Sequence, residues 1–215
     1  MAIALQNLGG TNVLEVDGTH KAARVSLRPP EVLGWNSVGA SSGLISSPPG
    51  VNALMFSFRN ASPNPVLISR VGIGFLTTTA FTAAQSIEFG LTVARNYTVA
   101  DSGGIAIALT GSNGKHRTSL ATPAAVDGRI LSTGQMNIGT RTLDGTQLAQ
   151  QTGWSGGVGV TIPASLNNLF RHDAGDYPLI LEQNEGITIV NNVAFGAGGV
   201  GKLCVNMEFA EVNSF

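Results

Sequence analysis

At 215 residues the chain fits one β domain, or one domain with an arm, and 43% hydrophobic residues are enough for a sizeable core. Twelve basic against 13 acidic residues, with no basic stripe, leave counterion-release binding of nucleic acid little to work with, and the lone Cys204 excludes an intrachain disulfide scaffold. Charged residues make up only 12%, about half the usual share, which suits a protein that keeps much of its surface against neighbours.

The N-terminal Met1-Ala-Ile-Ala-Leu-Gln-Asn7 lacks the basic start and apolar stretch of a signal peptide. Val32 to Phe58 is uncharged, but Trp35-Asn36, its serines and Pro48-Pro49-Gly50 do not suit hydrocarbon, so no membrane span is expected. Residues 1–50 read as an irregular segment. Short strands at Val13 to Val16 and Ala23 to Leu27 are interrupted by Gly9-Gly10, Pro29-Pro30, Ser41-Ser42-Gly43 and Pro48-Pro49-Gly50. Two readings stay open for it: a meander covering one sheet, or an extended arm lying on a partner.

From Ala53 a period of two takes over. Leu54, Phe56 and Phe58 alternate with Met55, Ser57 and Arg59, and Asn60 to Pro65 has turn composition. Val66 to Leu76 is a strand with Arg70 on its outer face, and Gly72 and Gly74 mark a bulge or close crossing. Ile87, Phe89, Leu91 and Val93 alternate with Glu88, Gly90, Thr92 and Ala94, and Ile105 to Thr110 is a further strand. Gly111 to Arg117 reads as an exposed loop tip; Ile130-Leu131 and Met136 to Ile138 are weak strands; the Thr/Gln/Gly-rich stretch up to Thr152 reads as loop. Val158, Val160 and Ile162 restore the strand pattern, and Leu166, Leu169 and Phe170 have the spacing of one short helix.

The last forty residues are the clearest. Leu179 and Leu181, then Ile187 and Ile189, flank a Gln183-Asn184-Glu185-Gly186 turn, and Leu203, Val205, Met207 and Phe209 alternate with polar residues. This reads as three successive antiparallel strands sharing one apolar face, with Gly196 to Gly201 as the second hairpin connection. Strand-rich patterning without crossover helices excludes parallel βαβ units and leaves an antiparallel jelly-roll-type sandwich or a barrel. The expected class is therefore all-β: a jelly-roll-type β-sandwich over 51–215 behind the irregular N-terminal arm, 1–50.

Motifs with chemistry in them fail their own context. Gly153-Trp-Ser155-Gly-Gly157 matches G-x-S-x-G, but no helix pattern follows, and no acid lies between Ser155 and His172, the only later histidine. Gly196-Ala-Gly198-Gly-Val-Gly201 matches G-x-G-x-x-G but runs into a terminal strand, where a dinucleotide fold needs a helix. His172, Asp173 and Asp176 are the densest ligand-like cluster, but a metal site needs three or four converging donors, so capping of a polar loop is the favoured reading. Glu88, Glu182 and Glu208 lie at polar strand phases. Aromatics are 6%, with Trp35 and Trp154 the only tryptophans, a thin supply for a sugar platform. No catalytic, cofactor or metal site is expected, and the chain is not read as an enzyme.

The pattern from Leu179 to Glu211 resembles the closing strands of jelly-roll virion proteins of tailed bacteriophages. It comprises an apolar strand, the acidic turn Glu185-Gly186, the strand Ile187-Thr-Ile-Val-Asn191, a small-residue loop, and a last strand ending Val205-Asn-Met-Glu-Phe-Ala-Glu211. The resemblance implies a capsid decoration or cement protein. Such a protein binds over joints between major capsid subunits, often as a homotrimer, and stabilises the closed shell by binding it selectively. It implies a virion location on the capsid surface after synthesis in the host cytoplasm, with no direct nucleic-acid or membrane contact. Lys21, Arg24 and Arg28, a local basic excess in the arm, are the candidate partner-binding residues. The alternative is a tail-associated or host-glycan-recognition β module, with Trp154 or the His172 to Asp176 loop as its contact.

Overall fold

In the computed structural model the chain divides into two units, Met1–Leu33 with Phe215, and Gly34–Ser214. The structure describes residues 34–47, 49–109, 114–116, 126–155, 167–172 and 178–212. The strands expected at 13–16, 23–27 and 158–162, and Lys21, Arg24, Arg28, Leu166, Asp173 and Asp176, lie outside them.

Twelve strands and no helix are present among the described residues. They are β1 (Gly34–Ser41), β2 (Leu54–Asn60), β3 (Val66–Thr79), β4 (Gln85–Arg95), β5 (Ile105–Ala106), β6 (Val126–Ile130), β7 (Thr142–Leu143), β8 (Ala149–Ser155), β9 (Asn167–Arg171), β10 (Leu179–Leu181), β11 (Glu185–Asn191) and β12 (Val200–Glu211). The first sheet runs β1-β12-β3-β10, with β9 also on β3. The second runs β5-β6-β2-β11-β4-β7, with β8 also on β4. All pairings are antiparallel. Setting β5, β6 and β7 aside, a ladder β1-β12-β3-β9/β10 faces a ladder β2-β11-β4-β8, and the chain crosses between them at every step except β4 to β8 and β9 to β10. That is the jelly-roll order.

The period-two signal is what packs the sandwich. Phe56 and Phe58 of β2, Ile87 to Val93 of β4 and Ile187 and Ile189 of β11 meet Ile68, Val71, Ile73, Val205, Met207 and Phe209 of the first sheet in one core. Phe58 and Phe209 stack between sheets with ring centroids 5.0 Å apart. At the other end Phe75 lies 5.3 Å and Phe81 5.8 Å from Phe195.

Three readings of the sequence need correction. First, β10, β11 and β12 do not form a three-stranded meander: β10 and β12 pair with β3, whereas β11 pairs with β2 and β4. Alternation requires each strand to bury one face, and two sheets facing one core meet that requirement as well as one sheet does. Second, Leu169 and Phe170 lie in strand β9, opposite β3, not in a helix. Backbone pairing to the long β3 prevails over two turns of isolated helix. Third, the stretch read as loop up to Thr152 contains β8, paired from Gln85↔Ser155 to Leu91↔Ala149. Gly114 to His116, the described part of the expected loop tip, is exposed at Gly114 and His116 and bonds to β1. Ser37 N donates to Gly114 O at 2.7 Å, His116 N donates to Trp35 O at 2.9 Å, and Ser37 Oγ lies 2.5 Å from His116 Nε2. Gly114 has φ 68°, and a side-chain carbon there would sit 2.0 Å from Ser37 O, so only glycine fits. This strap bonds to the edge of β1. The strand β1 itself pairs with β12 through all of Gly34–Ser41, so the sandwich takes in residues upstream of position 50.

Candidate functional site

The outer face of the second sheet is not bare. Ser57, Thr92 and Thr188 point away from the core, yet all three are buried. Two segments cover them, residues 97–104 and 136–148. Thr98 N donates to Thr140 O at 3.1 Å, and Ser102 and Asn137 exchange backbone hydrogen bonds at 3.1 and 3.0 Å. Asp144 N and Leu148 N anchor the second segment to Val93 O and Leu91 O on β4.

A buried ion pair pins this cover. Asp101 and Arg141 have side chains 0% and 2% exposed, and the guanidinium donates to both carboxylate oxygens, at 2.6 Å to Oδ2. Gly139 N donates to Asp101 Oδ1 at 2.7 Å, and Tyr97 Oη donates to Oδ2. The Tyr97 ring lies between two cations, with Arg141 Cζ 5.0 Å and Arg59 Cζ 5.9 Å from its centroid. Arg59 is itself held by Asp127 at 2.8 Å and by Thr98 O at 2.8 Å. The ring rests on β11 at Gly186, where a side-chain carbon would sit 2.7 Å from Tyr97 Cδ1 and 2.3 Å from Phe58 O. A glycine is thus required under the tyrosine.

Burial works against the charged form of Asp101, but the Arg141, Gly139, Tyr97 and Ser57 hydrogen bonds outweigh it and hold the carboxyl below its ordinary range. Burial, then the bond to Asp101, pushes the Tyr97 hydroxyl up to about 12. Between roughly pH 10 and 12 the unfolded tyrosine releases its proton while the folded one keeps it, so stability falls as pH rises through that window. Denaturant melts at pH 9, 10.5 and 12 are expected to show this loss, and Tyr97→Phe is expected to flatten it relative to wild type.

Among mostly polar exposed residues, the pinned cover presents two large apolar side chains that are more than half exposed. Val99 is 54% exposed and Ile138 64% exposed. They sit on the two hydrogen-bonded segments, on either side of the Asp101–Gly139 contact. Three of the arginines around them are ion-paired, Arg141 with Asp101, Arg59 with Asp127, and Arg95 with Asp144 and Glu185, while Arg129 donates to Gly103 O at 3.1 Å. Val99 and Ile138 thus stand exposed on a hydrogen-bonded cover over the sheet face.

Other residues singled out in the sequence fall elsewhere. Ser155 is buried, its Oγ 3.4 Å from Thr77 Oγ1, while its neighbour Trp154 is 60% exposed. Gly196, Gly198 and Gly199 lie in the connection between β11 and β12 and Gly201 at the start of β12, with Gly199 and Gly201 against the rings of Phe81 and Phe75. His172 follows β9, its backbone N donating to Ser69 O at 2.7 Å. No group of three or more metal-ligating side chains occurs among the described residues. Cys204 is exposed, Sγ 3.4 Å from Ser41 Oγ. Tyr97, Asp101 and Arg141 carried no motif. The available signal was indirect: Gly90, Thr92, Thr188 and Gly186 are small residues at outer positions of two central strands.

Comparison with protein-family models, with curated protein sequences and with solved structures found no match to this chain.

Proposed function

We propose that the chain is a virion structural protein, a capsid decoration or cement protein that binds over joints between major capsid subunits and stabilises the closed shell. The observation that carries this reading is the cover on the second sheet. A buried ion pair holds Val99 and Ile138 out on a cover whose flanking arginines Arg59, Arg95 and Arg141 are ion-paired, which is the build of a protein contact rather than of a reaction site. The jelly-roll order and the low charge content support the same reading. A decoration protein works by linkage: binding the assembled shell and not its free subunits shifts the equilibrium toward the shell. In this reading copies associate as a homotrimer on the capsid exterior, and Lys21, Arg24 and Arg28 contribute to the grip on the major capsid protein.

Cryo-electron microscopy of virions carrying the chain is expected to show its density on the capsid lattice, over subunit joints. Density confined to the tail tip overturns the reading. The full chain with Val99→Asp and Ile138→Asp is expected to bind emptied shells at least about 10-fold more weakly, as buried interface anchors do when a charge replaces them.

A further inference from the structure

A second surface lies on the outer face of β4 and β8. The register sets Trp154 opposite Ser86, Thr152 opposite Glu88 and Gln150 opposite Gly90. Opposed residues share a face, with Cβ atoms about 5 Å apart, and the row from Trp154 to Gln150 spans about 14 Å. Trp154, Thr152 and Gln150 are exposed, and Ser86 and Glu88 are half-buried. The core positions of β4 alternate with these, at Ile87, Phe89 and Leu91.

The polar groups of this row have no work to do inside the fold. The Glu88 carboxylate, the Ser86 and Thr152 hydroxyls, the Gln150 amide and the Trp154 indole N–H make no side-chain hydrogen bond among the described residues. The other acids on this side, Asp101, Asp127, Asp144 and Glu185, are all ion-paired. Beside the row, Gln147 and Asn192 exchange amide hydrogen bonds at 2.7 and 3.0 Å and fix that end of the surface.

We propose that this face binds a neutral oligosaccharide. A sugar ring has an apolar C–H face that packs on an indole, and equatorial hydroxyls that both donate and accept. Trp154 supplies the platform, Glu88 a charged acceptor, and Ser86, Thr152 and Gln150 groups that work in both directions. Glu88 is the only charge in the row, so an acidic sugar would meet a like charge at its centre. The row is long enough for more than one ring and open enough to admit an internal stretch of a chain. The inference stands apart from the capsid reading, and either can fail alone.

The test is binding of the full chain to a printed array of neutral, amino and sialylated oligosaccharides. Wild type is expected to bind neutral members; Trp154→Ala is expected to weaken that binding more than about 10-fold, and Glu88→Gln and Thr152→Ala about 3- to 10-fold. Trp154→Phe is expected to retain part of the binding. Val99→Ser and Ile138→Ser, on the other surface, are expected to bind as wild type. Thermal melts of Trp154→Ala should match wild type, because the side chain is exposed. No neutral sugar bound, binding confined to sialylated sugars, or full binding by folded Trp154→Ala overturns the proposal.

Discussion

Asp101→Ala is expected to cost about 3–5 kcal/mol, because it leaves the Arg141 guanidinium buried without its counter-charge. Arg141 is 2% exposed, and its only ion partner among the described residues is Asp101. Gly139 N and the Tyr97 hydroxyl lose their acceptor in the same step. For a domain of this size that loss is a drop in Tm of roughly 6–20 °C. The double change Asp101→Leu with Arg141→Met removes both charges together and is expected to recover most of the loss, since a buried pair replaced by apolar groups of similar volume is often near neutral. Asp101→Leu, Arg141→Met and the double variant form a cycle in urea melts. A single-variant cost under about 1 kcal/mol, or a double variant no better than the worse single, would show that the ion pair does not pin the cover.

Phe209→Ala is expected to cost a similar amount, about 3–5 kcal/mol, through a cavity between the sheets. Phe209 is fully buried and meets the Phe58 ring at 5.0 Å, so its loss also removes an aromatic contact. It sits beside a register shift in the β12–β3 ladder, between Glu208 and Phe209, where the strand has little freedom to close the gap. Phe209→Leu, which keeps most of the volume, is expected to cost less than half as much. Equal costs for the two would mean that the site collapses around either side chain and that packing there is loose.

These two variants separate what could be read in the sequence from what could not. Phe209 stood out: it belongs to the alternation Leu203, Val205, Met207, Phe209, and all four are buried in the core. The same holds for Phe56 and Phe58 and for Ile87 to Val93. Alternation reports which face of a strand is buried, however, and not which sheet the strand joins. That is why β10, β11 and β12 read as one meander although they belong to two sheets. The strand β8 was illegible for another reason. Its inward positions are Ala149, Gln151 and Gly153, so it lacks an apolar phase and is held largely by backbone bonds to β4. Asp101 and Arg141 were illegible because they are 40 residues apart in segments without periodicity, and only the fold brings them together. The same is true of the Trp154 row, whose members come from two strands joined by register.

The strap from Gly114 to His116 bears on how copies of this chain behave when crowded. A bare β1 edge would present a ladder of open donors and acceptors, ready to recruit a strand from any neighbour. Ser37 N and Trp35 O, which such a neighbour would need, are already taken by Gly114 and His116 of the same chain. The strap thus withdraws that part of the β1 edge from pairing with a neighbour's strand.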